Sequence, residues 1–164
     1  MNLLFVCTGN TCRSPAAEVL ARAEADRRGL GGIHTASAGT FAFAGQPAAG
    51  VSIAVAGARG LDLSGHRSAE LSLELVEWAD RTFAMTASHA RGIEEIVPGT
   101  TVSLLTSALP EGHPRRGRGI ADPVGGDREV YEETYRELEE AIFALFDRLG
   151  PEATGESAEA ADGT

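Results

Sequence analysis

Cys7 and Arg13 are separated by five residues in the run Cys7-Thr8-Gly9-Asn10-Thr11-Cys12-Arg13-Ser14. A chain segment of that length can close around one tetrahedral anion, with successive backbone N–H groups turned inward. The guanidinium of Arg13 is a planar fork that matches two phosphate oxygens. Cys7, at the base of such a loop, would face the phosphorus, and a thiolate is the nucleophile this chemistry needs. Gly9 and Asn10 suit positive φ angles. A helix starting behind the loop adds its positive end, which favours thiolate over thiol, and the Ser14 hydroxyl can steady that thiolate. The competing reading is a buried structural cysteine in an ordinary strand–turn–helix, because Cys-x5-Arg alone is a loose pattern. The flanking residues decide against it: an apolar strand precedes the loop and Arg-Ser-Pro opens a helix after it. The expected chemistry is phosphoryl transfer, with Thr8, Gly9, Asn10, Thr11, Cys12, Arg13 and Ser14 binding the phosphate.

These residues need a scaffold. Residues 2–6 form an apolar run that reads as a buried strand. Ser14 is the expected N-cap of the following helix, with Pro15 at its first position and Gly29 at its end. A second strand is predicted over 33–38, then a loop over 39–46 with two aromatics, Phe41 and Phe43. A helix is expected from Pro47 to near Gly60, another over 69–78 with Trp78 in the core, and a third over 88–96. Strands are predicted over 81–85 and 101–105. Residues 107–126, rich in Gly, Pro and Arg, read as a long loop, and long loops in compact domains are usually functional. Asp127 caps a last helix whose expected buried stripe is Val130, Thr134, Leu138, Ile142, Leu145 and Leu149. Alternation of strands and helices predicts an α/β fold in three layers, a four-stranded parallel sheet with helices on both faces. The domain is expected over 1–149, with 150–164 as an acidic disordered tail.

Composition narrows the function. The 164 residues fit one domain, and 43% apolar content fits a packed core. All fourteen basic residues are Arg. A lysine-containing phosphate loop and lysine Schiff-base chemistry are thereby excluded. The net charge of −10 argues against nucleic acid or an anionic membrane as partner. That charge is uneven: residues 1–126 carry 12 acids and 11 bases, and residues 127–164 carry 12 acids and 3 bases. Two cysteines exclude a disulfide framework, no segment is long and apolar enough for a membrane span, and the N-terminus does not read as a signal peptide. A cytoplasmic, monomeric protein without metal or cofactor is expected.

The segment Val6–Glu18 resembles the N-terminal signature of the low-molecular-weight protein phosphatase family. Ser37-Ala38-Gly39-Thr40, Gly65-His66-Arg67-Ser68, Ala79-Asp80 and Met85-Thr86 are also similar to it, and Ala121-Asp122-Pro123 resembles its general-acid motif. The resemblance covers about residues 1–149. It implies a four-stranded parallel sheet flanked by helices, and double displacement through a thiophosphate intermediate. Carried over, Cys7 attacks phosphorus, and Arg13 and the loop amides bind its oxygens. Asp122 protonates the leaving atom, then activates water. Asn10, Ser14, Ser37 and His66 brace the loop.

Substrate choice turns on three residues. Thr11 stands where many tyrosine-directed members have an aliphatic side chain, and it resembles the protein-arginine phosphatase branch. Asp122-Pro123-Val124-Gly125-Gly126 is similar to the same branch and lacks the aromatic that tyrosine-directed members carry behind Asp-Pro. Val124 departs from that branch, which often has Phe there. Phe41 is either a replacement wall or a loop aromatic packed on the core. The favoured substrate is protein phosphoarginine, with phosphotyrosine as the alternative. Arsenate reduction would need further cysteines, and a non-catalytic phosphoprotein-binding module would not need Cys7, Arg13 and Asp122 together. Cys12 has two readings, a reversible disulfide with Cys7 or a small packed residue. Arg115, Arg116 and Arg118 either steer a phosphoprotein or balance nearby acids. His34, His89 and His113 belong to no motif and are expected at the surface, and Asp80 is expected to end a strand.

Overall fold

The computed structural model describes residues 1–150. Strand β1 (Asn2–Cys7) is buried from Leu3 onward, as its apolar run requires. Helix α1 (Arg13–Arg27), strand β2 (His34–Gly39), helix α2 (Gly50–Ala58) and helix α3 (Leu73–Trp78) follow. Then come β3 (Arg81–Ala84), α4 (Ala87–Ile96), β4 (Val102–Leu104), a 3-10 turn over Leu105–Ala108, and α5 (Arg128–Leu149). All strand pairs are parallel, in the order β2-β1-β3-β4. Leu3, Phe5 and Cys7 face one core, shared with α1, α2 and α5. Leu4 and Val6 face the other, shared with Val76 of α3 and Ile93 of α4. This is the expected three-layer α/β sandwich.

The strand order reverses at β1, because β2 lies on one side of it and β3 on the other. Ligands of open α/β sheets bind in the crevice beyond the carboxyl ends of strands at such a point. The residues after Cys7 begin there.

Several expectations are corrected. Ser14 is not the N-cap of α1; Cys12 holds that position and no side chain caps the helix. Pro15 falls third in the helix, where no intrahelical N–H is missed. Helix α2 starts at Gly50, not Pro47, and α3 at Leu73, not Ala69. Residues 69–71 are instead extended against the end of β2: Gly39 N donates to Ala69 O and Leu71 N to Gly39 O. In α5 the buried stripe runs through Tyr131, Thr134, Tyr135, Leu138, Ala141, Ile142, Leu145, Phe146 and Leu149. Val130, in the first turn of the helix and at the edge of that stripe, is 45% exposed. The two tyrosines are buried because their hydroxyls find partners, Tyr131 at Cys12 Sγ (3.4 Å) and Tyr135 at Ser52 Oγ (2.9 Å). Trp78 is 37% exposed, so it is not core. Asp80 stands just before β3 and caps the beginning of β1, accepting from Asn2 N at 2.7 Å. Asp127 caps α5 by accepting from Val130 N. The predicted tail falls outside the described residues apart from Gly150.

Candidate active site

The segment Thr8–Cys12 joins the end of β1 to the start of α1. Four of its five carbonyls are engaged: Thr8 O accepts from Phe41 N, Asn10 O from His66 Nε2, Thr11 O from Ala49 N and Cys12 O from Ala16 N. Its N–H groups are not. Among the described residues the amides of Thr8, Gly9, Asn10, Thr11 and Cys12 meet no acceptor. Five donors in a row, in front of a helix with no side-chain cap, form an anion cradle.

Asn10 makes the loop possible. Its φ is +56°, the one positive value among non-glycine described residues. Gly9, expected to share that role, has no positive φ. The Asn10 side chain is fully buried and donates to Ser14 Oγ (2.8 Å) and Ser37 Oγ (3.0 Å), while its Oδ1 accepts from Ala69 N (2.9 Å). The Ser37 hydroxyl in turn donates to Glu18 Oε2 at 2.7 Å. Ser14 Oγ receives the Asn10 amide and lies 2.9 Å from Cys7 Sγ and 3.4 Å from Ala38 O, so the sulfur is the nearer of the two groups its hydroxyl hydrogen can reach. The bracing residues expected from the sequence, Asn10, Ser14, Ser37 and His66, are thus brought together. Glu18 completes their chain and was not foreseen in that role.

Gly39 ends β2 directly beneath the loop. A Cβ there would collide with Thr8 O and lie 2.8 Å from the Ala42 Cβ. Only glycine allows the loop to sit this low on the sheet.

Arg13 is 4% exposed and presents one edge of its fork. Nη1 donates to Ile120 O at 2.8 Å, fixing the plane. Nη2 is 3.5 Å from Asp122 Oδ2, and Nε is buried with no partner. Nε and Nη2 lie on the same edge, so a phosphoryl group can take both N–H groups while Nη1 stays on Ile120. Ile120 is itself tied down, its N–H donating to Met85 O at the end of β3. Two residues later Asp122 stands half-exposed at the mouth, its Oδ1 accepting from Val124 N.

The resulting cavity, about 180 Å³, is lined by Cys7, Thr8, Gly9, Thr11, Cys12, Arg13, Asp122 and Val124. That is below the size of ordinary small-molecule pockets, and suits a phosphoryl group and the end of one side chain. Among the described residues no aromatic ring lines it. Phe41 is 76% exposed and stands outside, against Phe43 at 6.3 Å between ring centres. A larger hollow of about 410 Å³ lies behind the loop, beside Glu18, Ser37 and His66. Among the described residues no cysteine lines it.

The chain matches the model of the low molecular weight phosphotyrosine protein phosphatases over residues 2–154. It belongs to that family. The protein-arginine-phosphatase of Geobacillus stearothermophilus is 38% identical over 150 residues, covering 92% of this chain and 97% of that one. EpsP of Ralstonia nicotianae, named a probable low molecular weight protein-tyrosine-phosphatase, is 31% identical over 90% of this chain and 94% of its own length. Among solved structures, YwlE arginine phosphatase, as a C7S mutant with a phosphorylated active-site serine, superposes with a TM-score of 0.83. It is 35% identical over 91% of this chain and 95% of that one. The protein is therefore a phosphatase by family, an enzyme rather than a binding module.

The phosphatase site also holds groups the sequence did not reveal. His89, expected at the surface, is 4% exposed. Its Nε2 lies 2.7 Å from Thr8 Oγ1 and its Nδ1 3.0 Å from Thr86 Oγ1. Burial, with the Arg13 guanidinium nearby, lowers the imidazole pKa to about 4, against an opposing pull from Asp122. Tyr131, from α5, closes the floor behind Cys12. Burial raises the Cys12 thiol pKa, partly opposed by the Tyr131 and Thr11 hydroxyls. His34 is exposed as expected, while His113 donates to Glu140. The spacing Thr86-x-x-His89 was the available signal for His89, since Thr86 caps α4 by accepting from His89 N.

Proposed function

We propose that the protein hydrolyses phosphoarginine on proteins through a thiophosphate intermediate. Cys7 Sγ attacks phosphorus, forming the S–P bond as the P–N bond breaks. The Asp122 carboxyl gives its proton to the departing guanidine nitrogen. Water then attacks phosphorus and yields a proton to the Asp122 carboxylate, and the S–P bond breaks to release phosphate and the Cys7 thiolate. Arg13 Nε and Nη2 with the free amides of the loop stabilise the charge on the transferring group. The Ser14 hydroxyl steadies the thiolate as nucleophile and again as leaving group. An active-site serine that becomes phosphorylated in YwlE supports the covalent step.

The observation that carries the choice of substrate is the lining of the cavity. Thr11 and Val124 face it, and no ring is present to stack on a phenol. Such stacking is worth about 0.5–1.5 kcal/mol. A guanidine leaving group, with a pKa above about 12 against about 10 for phenol, also leans harder on the acid at Asp122. Val124 and Thr11 set the width at the scissile atom in this reading, and Phe41 acts only outside the cavity. The test compares kcat/KM on phosphoarginine and phosphotyrosine peptides for the wild type and Thr11→Ile. The expected result is a phosphoarginine preference that shrinks in the variant. A phosphotyrosine preference untouched by the substitution would make the protein a tyrosine phosphatase of the same family.

A further inference from the structure

Thr8 is the first residue after the nucleophile and lines the phosphate cavity, yet its side chain has a partner on the far side, His89 of α4. An imidazole buried this deeply beside Arg13 has no part in the double displacement set out above. Its two nitrogens are both engaged by threonine hydroxyls, at 2.7 and 3.0 Å. Thr86 Oγ1 accepts the His89 backbone N–H as the cap of α4, and its hydroxyl hydrogen can be donated to Nδ1. In that arrangement the ring proton sits on Nε2 and is donated to Thr8 Oγ1. With that oxygen's lone pair taken, the Thr8 hydroxyl hydrogen must point away from His89.

We propose that His89 is a positioning residue which, held by Thr86, turns the Thr8 hydroxyl into a side-chain donor for a phosphoryl oxygen in the cavity. The inference rests on the phosphoryl-transfer reading of the site and adds a donor to it. The free amides bind the anion in any orientation of this hydroxyl. A donor aimed by a rigid neutral ring instead adds a charge-assisted hydrogen bond as negative charge builds on the transferring group. Burial and the neighbouring guanidinium keep the ring neutral across the physiological range, so the relay is not broken by protonation.

Thr8 is exposed, so Thr8→Val removes the hydroxyl without touching the core. The expected effect is a fall in kcat/KM on p-nitrophenyl phosphate of about 10- to 100-fold, mostly in kcat, in a protein that stays folded at the assay temperature. Thr8→Ser should return to within about threefold of wild type. His89→Gln, whose amide nitrogen can stand where Nε2 stands, should stay close to wild type, and His89→Phe should match Thr8→Val. The double variant Thr8→Val/His89→Phe should lose no more than either single one. Long-range proton–nitrogen NMR of the wild type should show the proton on His89 Nε2 between pH 6 and 8. Wild-type turnover in Thr8→Val, multiplying losses in the double variant, or a proton on Nδ1 would each overturn the proposal. Failure of the wild type to hydrolyse any phosphate ester or amide would instead remove the phosphatase reading, and the NMR result would stand apart from it.

Discussion

Replacing Asn10 with alanine removes three hydrogen bonds at once, to Ser14, Ser37 and Ala69. Each is worth about 1 kcal/mol net, and the Ala69 N–H and the two hydroxyls are left short of partners in the interior. Alanine must also hold the left-handed conformation at φ +56°, at a cost of about 1 kcal/mol. The sum is about 4 kcal/mol, a large part of the ~5–15 kcal/mol that holds a domain together. Asn10→Gly loses the same bonds without the strain, so it should be about 1 kcal/mol more stable than Asn10→Ala. Asn10→Asp separates stability from catalysis. Its carboxylate would draw the Ser14 hydroxyl hydrogen away from Cys7 and place a negative charge beside the thiolate. It should therefore be the least active of the three whatever its stability. Urea denaturation at pH 7, followed by circular dichroism, gives the stabilities, and p-nitrophenyl phosphate turnover gives the activities. If Asn10→Ala lies within about 1 kcal/mol of wild type, or glycine is no better than alanine, then the network does not hold the loop as argued.

Asp122→Asn should cost about 10²- to 10⁴-fold in kcat on a phosphoarginine peptide and far less on p-nitrophenyl phosphate, whose leaving group needs little protonation; equal losses on both would take the acid role from Asp122. Gly39→Ala should push the loop off the sheet, lowering stability by about 2 kcal/mol and abolishing turnover. Gly31, where a Cβ meets nothing within 4 Å, is the control, and Gly31→Ala should be close to neutral. His89 predicts a pH dependence of stability. Its folded pKa of about 4 lies below the ordinary 6.5, so between those values the unfolded chain binds the extra proton. Stability from this residue is complete above about pH 6.5 and is lost as pH falls towards 4, by on the order of 3 kcal/mol. Denaturation curves at pH 7, 5.5 and 4 should show that slope in the wild type and a flatter one in His89→Phe.

The sheet and the loop were legible in the chain because their signals are local. Leu3–Cys7 is an unbroken apolar run, and the turn after it contains the residue types that reverse a chain. Asn10 could be picked for its φ because few side chains tolerate that region. The misreadings share a different cause, side chains whose burial depends on distant partners. Tyr131 and Tyr135 looked less apolar than Val130, yet each is buried through a hydroxyl contact more than 80 residues away in sequence. His89 carries no motif of its own. Only the fold brings α4 beside the loop, 81 residues earlier in the chain, and turns a plain histidine into a partner of Thr8. The helix beginning at 69 was misread because residues 69–71 pair with Gly39 rather than with one another.

The acid-rich C-terminal part of the chain and the anion site at its N-terminal part are reconciled by where the arginines go. Arg59 pairs with Glu132 and Glu139, Arg28 with Asp147, and Arg115 with Glu133, Glu137 and Glu140, all on α5. Arg115, a candidate for steering substrates, is thereby held on that helix. Arg116 likewise lies 3.9 Å from Glu111. The cavity therefore has no basic rim formed by these two residues. The charge that captures phosphate lies inside, on the open edge of Arg13 and on five amides that no other group uses. At physiological salt, charges are screened over about 8 Å, so solvated charges farther than that from the cavity act on it only weakly. Recognition must then depend on reach more than on attraction. A phosphoryl group gains binding energy only after its side chain has passed Val124 and Thr11. A slender stem can do so, while a ring must do so without a stacking partner in the cavity. That is the physical reason to expect a preference for phosphoarginine at a site whose loop would bind any phosphate monoester.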